Sequence, residues 1–192
     1  MDVRELWDSR FTQGLPSLET PDPFFKEMYE QYISKSYPSG GTVLDLAAGV
    51  GRHSLFLAER QWKPTAVDIS TVAIEILKER AFSLNVQIDT LVLNITGYDL
   101  PVGSFDLIIL YYHFDRQLFP KIFNALKPGG LFICKLAFSN ILTENSPLQK
   151  EELLTLVSYL DMISHEERPV KDRGVVEYLG RKINSRSPTS LP

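Results

Sequence analysis

A single cysteine, Cys134, stands among 192 residues. One thiol excludes an intrachain disulfide and a cysteine metal cluster, and no metal site is expected. It suits a reducing interior, so the expected location is the cytoplasm. Long hydrophobic runs are also missing. The longest apolar stretches, such as Leu107 to Tyr112, fall far short of the roughly 20 residues that span a bilayer. The opening Met1-Asp2-Val3-Arg4-Glu5 mixes charges too early for a signal peptide. Basic charge is scarce as well, with 20 Lys and Arg against 24 Asp and Glu, a net charge of −4. Nucleic-acid binders usually carry a basic footprint. The one basic stretch, Arg168 to Arg186, holds six Arg or Lys against Asp172 and Glu177 and reads as a solvated hairpin and tail. Neither a nucleic acid nor a membrane is expected as a partner, and there is no internal repeat.

What is present is a globular balance, 44% hydrophobic and 23% charged,. One domain is expected over residues 1–184. It divides into an N-terminal helical segment at 1–38, serving as lid or substrate segment, and a core at 40–184. The Ser- and Pro-rich 185–192 reads as a flexible tail. Through the core, two periods alternate. Strands are expected at Thr42 to Ala47, Pro64 to Ile69, Val86 to Ile95, Phe105 to Tyr111 and Leu131 to Ala137. Between them lie a helix at Ser54 to Gln61 and a helix capped by Ser70 with Ala73, Ile76, Leu77 and the Arg80 stem facing inward. Another runs through Leu118, Phe119, Ile122, Phe123 and Leu126, and ends at Lys127-Pro128-Gly129-Gly130. A further helix is expected from Ser146-Pro147, with Leu153, Leu154 and Val157 inward. Two last strands, near Met162 to Arg168 and Val175 to Lys182, are too closely joined to be anything but an antiparallel hairpin. The sum is an α/β fold: a doubly wound, mostly parallel seven-stranded sheet, helices on both faces, and a C-terminal antiparallel hairpin.

The chemistry concentrates in Val43-Leu44-Asp45-Leu46-Ala47-Ala48-Gly49-Val50-Gly51-Arg52-His53, a strand, a small-residue loop and a helix. Small residues let backbone approach a ligand, and ligands of such sheets bind beyond the carboxyl ends of the strands. A glycine turn with no ligand fits the same segment. Asp45 bears on the choice of ligand. A carboxylate there repels a pyrophosphate docked at the helix N-terminus, whereas it favours the sulfonium and ammonium of S-adenosylmethionine. Asp68 ends the second strand 19 residues after Gly49 and suits two ribose hydroxyls, or else a turn before the Ser70 helix,. Asn94 reads as an adenine contact or a strand cap, with Ile95 covering the ring.

These stretches resemble the class I S-adenosylmethionine-dependent methyltransferases. Val43 to Arg52 is similar to their first motif and Ala66-Val67-Asp68-Ile69-Ser70 to their second. Gly103 to Ile108 resembles the approach to their fourth strand, and Ala125-Leu126-Lys127-Pro128-Gly129-Gly130 the lead into their fifth. The front, Trp7-Asp8-Ser9-Arg10-Phe11 with Pro21 to Phe25, is similar to the tellurite-resistance and thiopurine methyltransferase group, enzymes of small molecules and oxyanions. The resemblance implies a Rossmann-like fold with S-adenosylmethionine as cofactor and S-adenosylhomocysteine as product. It implies Asp45, Ala47, Gly49 and Gly51 along the methionine part, Asp68 and Ile69 at ribose and adenine, Asn94 and Ile95 at adenine, and Tyr111 beside the methyl. Ala47 or Ala48 stands where the motif has its first glycine, and Asn94 where an acid is common.

Methyl transfer needs alignment and exclusion of water more than acid–base groups. The candidates for a catalytic contribution follow the fourth strand: Tyr112, His113 and Arg116. His113 reads as a general base or as a polar strand end, Asp115 as a helix cap, and Arg116 as an anion contact or cover for the sheet. Trp7, Arg10 and Phe11 are substrate-pocket candidates; Trp7 and Phe11, with Phe24 and Phe25, read as a lid or as ordinary packing. The expected partner is a small-molecule acceptor, such as a thiol or an oxyanion, bound by a monomer or homodimer. Two other readings stand beside this one: a nonenzymatic S-adenosylmethionine-binding regulator, and an NAD-dependent oxidoreductase.

Overall fold

The computed structural model describes residues 2–14, 19–139, 148–170 and 173–183. The expected tail at 185–192 lies outside them, as do Ser146 and Pro147. The chain divides into two compact units, Met1–Tyr98 and Asp99–Pro192.

The first unit opens with helix α1 (Val3–Thr12), whose start is fixed by the Asp2 N–H donating to Glu5 Oε2,. Helix α2 (Pro23–Met28) has Pro at its first position and Asp22 as cap, its carboxylate accepting the Phe24 N–H at 3.0 Å,. It runs through a wider turn at Tyr29–Ile33 into α3 (Ser34–Ser36). Phe24, Phe25 and Met28 are all buried, as their spacing on one face requires,.

Strand β1 (Thr42–Leu46) then leads through the glycine loop into α4 (Arg52–Ala58), β2 (Lys63–Asp68), α5 (Thr71–Ser83) and β3 (Asp89–Val92). Val43, Leu44 and Leu46 are buried on both faces of β1, the mark of an interior parallel strand,. β1 pairs parallel with β2, and β2 with β3.

Several boundaries differ from the sequence expectation. α4 begins two residues before Ser54, because Gly51 in a left-handed conformation already starts the turn. β3 is only four residues long, not the stretch from Val86 to Ile95. Val86 and Ile88 pack on a cluster of Leu55, Ala66, Ile74, Leu77 and Ala81 instead of extending the strand, and Ile95 begins a single 3-10 turn. α5 therefore buries Ile74 and Ala81 beside Ala73 and Leu77. Ile76 is only partly buried, and Arg80 reaches Glu19 at 3.1 Å.

The second unit holds β4 (Phe105–Tyr111), α6 (Leu118–Ala125), β5 (Leu126–Ser139), α7 (Glu152–Leu156), β6 (Leu160–Val170) and β7 (Arg173–Lys182). β4 pairs parallel with β5, and β7 lies antiparallel to both β5 and β6. The strand order is β3-β2-β1-β4-β5-β7-β6 in a seven-stranded mixed sheet, the expected fold with its antiparallel ending.

α6 buries Leu118, Phe119, Ile122 and Phe123 as its periodicity requires. Leu126 belongs to β5, which begins five residues before the expected start at Leu131. Leu153 in α7 and Val157 just after it are buried but Leu154 is 37% exposed, since a five-residue helix has too few turns to cover a wider stripe,. Phe123 stacks edge-on against Tyr159 at 4.7 Å, and the Tyr159 hydroxyl donates to the Phe119 carbonyl at 2.7 Å. Among the described residues no helix is long and apolar enough to cross a membrane, and no group of three or more His, Cys, Asp or Glu is placed to hold a metal.

Candidate cofactor site

The glycine loop joins β1 to α4 through three left-handed residues: Ala47 (φ 54°), Gly49 (φ 55°) and Gly51 (φ 74°). Gly51 is closely packed as well: a Cβ there would stand 2.2 Å from Leu77 Cδ1, so the Leu77 side chain of α5 would have to shift to admit one. Gly49 sits under the Phe11 ring, whose Cζ would be 3.4 Å from an added Cβ.

Asp45 lies behind this loop. It is 2% exposed, and its Oδ2 accepts the Ser54 hydroxyl at 2.7 Å. Burial pushes its carboxyl up to about 7, although Ser54 and Arg52 pull the other way,. A cation brought to the loop meets this group through its field, not through an exposed oxygen.

Asp68, at the carboxyl end of β2, is held on both oxygens by backbone. The Gly49 N–H donates to Oδ2 at 2.7 Å and the Ser70 N–H to Oδ1 at 2.8 Å. Two backbone donors, one on each oxygen, orient the group. Ile69 beside it is half-buried. Asn94 is exposed, and its Oδ1 accepts the Thr96 N–H at 3.1 Å, capping the turn in which Ile95 is buried.

The N-terminal segment closes on the same loops. Phe11, Val50 and Ala73 form one buried cluster, with Trp7, Val72 and Ile76 packed around it. Arg10 is exposed, its guanidinium 4.9 Å from the Trp7 ring centre. Asp8 Oδ1 accepts the Ser70 hydroxyl at 2.6 Å and the Val72 N–H at 3.2 Å. His53, buried in α4, accepts the Asp22 N–H on Nε2 at 3.4 Å, with its ring 4.5 Å from Phe25. The sequence reading picked out neither Asp8 nor Ser70 nor His53 as a site residue. The signal for Asp8 was available: it shares a helical face with Phe11, three residues on.

In the second unit, the end of β4 carries the remaining candidates. Tyr111 is buried and its ring meets Tyr112 edge-on at 6.2 Å. Tyr112 is 53% exposed in a left-handed conformation (φ 56°), and its N–H donates to the Lys135 carbonyl at 2.8 Å. Backbone strain of this kind collects at working sites. His113 is half-buried. Asp115 caps the following turn by accepting the Gln117 N–H at 2.9 Å. Arg116 is taken up by Glu152 in a two-pronged ion pair, Nε to Oε1 at 2.6 Å and a terminal nitrogen to Oε2 at 2.9 Å. That pairing ties the β4–α6 loop to α7.

A glycine loop after β1 and an acid gripped by backbone at the tip of β2, in a sheet ending antiparallel, define a Rossmann-like fold. Comparison with known proteins narrows the class. Residues 43–130 match the family described as "Methyltransferase domain". The chain is 29% identical over 120 residues to the putative methyltransferase YqeM of Bacillus subtilis, covering 56% of this chain and 47% of that protein. It is 32% identical over 129 residues to phosphoethanolamine N-methyltransferase 1 of Arabidopsis thaliana, covering 62% and 25%. The chain thus spans less than half the length of these curated relatives. The crystal structure of TehB from Haemophilus influenzae has a similar fold, with a TM-score of 0.72 at 18% identity over 92% of this chain and 67% of that one. Residues 43–130 are thus similar to a methyltransferase domain, and the fold is the Rossmann-like one that such methyltransferases share.

Proposed function

We propose that the protein transfers the methyl group of S-adenosylmethionine to a small-molecule acceptor and releases S-adenosylhomocysteine. The observation that carries this reading is the Asp68 carboxylate, fixed between the Gly49 and Ser70 N–H groups beside a loop of small residues. When bound, the sulfonium supplies an activated methyl group, lost to an in-line nucleophile with the thioether as leaving group. Asp68 holds the ribose hydroxyls, and Gly49 and Gly51 let the backbone lie against the methionine part. Asp45 adds a negative field that suits two cations and opposes a pyrophosphate. Ile69 and Ile95 cover the adenine. Phe11 and Trp7 close the loop from water, which a methyl transfer requires. In the second unit, Tyr111, Tyr112 and His113 at the end of β4 are the candidates for contact with the acceptor, His113 being the one able to take a proton where the acceptor arrives protonated.

The residues present fit such a nucleoside: the β2 acid is already oriented by two backbone N–H groups at the carboxyl end of its strand. The acceptor class follows from the family domain and the resemblance at Trp7 to Phe11. Small amines such as phosphoethanolamine, named in two of the relatives, belong in the acceptor panel with thiols and oxyanions. A cytoplasmic location accords with one buried thiol, Cys134, which burial keeps protonated.

Calorimetric titration with S-adenosylmethionine, S-adenosylhomocysteine and NAD, for wild type and Asp68→Ala, tests the reading. Micromolar binding of both adenosyl ligands, none of NAD, and loss in the variant are expected. Binding of NAD alone would sink it. Methyl transfer to a panel of amines, thiols and oxyanions then identifies the acceptor; tight binding with no transfer to any of them would favour a nonenzymatic regulator.

A further inference from the structure

Trp7, Asp8 and Phe11 share one face of α1 by the three- and four-residue spacing of a helix. That face reaches both residues whose N–H groups grip Asp68. On one side the Phe11 ring lies over Gly49. On the other, Asp8 Oδ1 accepts the Ser70 hydroxyl at 2.6 Å and the Val72 N–H at 3.2 Å. Gly49 and Ser70 in turn donate to Asp68 at 2.7 and 2.8 Å.

A plain helix cap does not need this arrangement. Ser70 Oγ already caps α5 by accepting the Ala73 N–H at 3.1 Å. Asp8 adds a second acceptor from another helix and orients the Ser70 hydroxyl that does the capping. A carboxylate with one short hydroxyl donor and one backbone donor is a directional anchor,. It is spent here on the one residue shared by α5 and the Asp68 grip.

We propose that Asp8 is a positioning residue for the nucleoside site. By fixing Ser70 it sets the Asp68 carboxylate, and by anchoring α1 it holds Phe11 over the glycine loop. Docking of α1 and binding of the adenosyl ligand are therefore coupled, and the coupling is reciprocal. The proposal rests on the reading of Asp68 as the ribose-holding acid.

S-adenosylhomocysteine affinity is measured by calorimetry for wild type, Asp8→Asn, Asp8→Ala, Ser70→Ala and the Asp8→Ala/Ser70→Ala double variant. Hydrogen exchange over residues 3–12 and 42–46 is followed with and without the ligand. Asp8→Ala is expected to weaken binding by about tenfold. Asp8→Asn, which keeps an acceptor oxygen, should fall between it and wild type. The double variant should bind no worse than the weaker single, since both remove one link. Ligand should slow exchange over 3–12 in wild type and not in Asp8→Ala, while 42–46 stays protected in both. Unchanged affinity in Asp8→Ala, or losses that simply add in the double variant, would overturn the proposal. So would the absence of ligand-dependent protection over 3–12 in wild type, a result that holds even where Asp8→Ala fails to fold. No binding to wild type at all would remove the Asp68 reading beneath it, and that outcome is visible before any Asp8 variant is made.

Discussion

Ser54 donates its hydroxyl to Asp45 across 2.7 Å, inside the turn that carries the glycines. Burial of that carboxyl outweighs the hydrogen bond and lifts it from 3.8 to about 7,. The folded group thus keeps a proton that the unfolded chain gives up. Its contribution to stability is complete below pH 3.8 and is lost as pH rises through the window up to about 7,. Each pH unit across that window removes up to about 1.4 kcal/mol. Thermal unfolding from pH 4 to 8 should show Asp45→Asn free of this decline and more stable than wild type near neutrality. Parallel curves for the two proteins would mean that Asp45 titrates normally.

The same group ties cofactor binding to pH. A sulfonium and an ammonium brought to the loop favour the carboxylate over the acid. S-adenosylmethionine should therefore drive proton release from Asp45, and its affinity should rise between pH 6 and 8. S-adenosylhomocysteine lacks the sulfonium and should respond less. Calorimetry in buffers of differing ionisation enthalpy reads the released proton directly. An equal response of the two ligands would place Asp45 outside the reach of the sulfonium.

Two neighbouring loop positions should answer oppositely to changes of side chain. Gly51→Ala sets a Cβ 2.2 Å from Leu77 Cδ1 at a φ of 74°. Left-handed strain and overpacking together predict a loss of about 2–4 kcal/mol in denaturant unfolding. Adding Leu77→Ala should recover part of it, since the clashing methyl is gone. Ala47, at φ 54°, already carries the left-handed strain without need of its side chain. Ala47→Gly should be neutral or stabilising by up to about 1 kcal/mol, the relief of strain set against the freer unfolded chain. A destabilised Ala47→Gly would show that the Ala47 methyl packs on something that matters.

Much of this was legible in the sequence because it is local. The run from Val43 to Gly51 reads as strand, loop and helix from its small residues, and the motif it resembles puts Ala47 or Ala48 in a glycine's place; only the fold singles out Ala47 by its positive φ. Asp68 is legible by spacing from Gly49. Its backbone grip is not, because donors on two different loops converge only after folding. Asp8 was hidden for the same reason: its partners Ser70 and Val72 lie 62 and 64 residues away. The third strand was overread because Val86 and Ile88 are as apolar as strand residues, yet they serve the face of α5. Arg116 gave no sign of Glu152, 36 residues on.

Glu177 is another residue whose role only the fold exposes. The basic stretch around it reads as a solvated hairpin, yet Glu177 is 2% exposed in the middle of β7. Its Oε1 lies 2.9 Å from Lys135 Nζ, and its Oε2 accepts from Arg168. Register sets Tyr111 beside Lys135 and Lys135 beside Glu177, so the charges lie in the row that ends β4. Removing the acid takes a buried partner from Lys135 and one of its carboxylates from Arg168, which keeps Glu166 at 3.4 Å. Glu177→Ala should cost about 3 kcal/mol, the low end for a broken buried pair, because Arg168 stays half exposed and is screened. Replacing all three by apolar residues of similar size, Lys135→Met, Glu177→Leu and Arg168→Met, should restore most of that loss, since no buried charge is then left uncompensated and Glu166, which loses Arg168, is exposed to solvent,. Urea unfolding of the single and triple variants decides it. A triple variant as unstable as Glu177→Ala would mean that the ion pairs themselves, not the avoidance of a stranded charge, hold the end of β4.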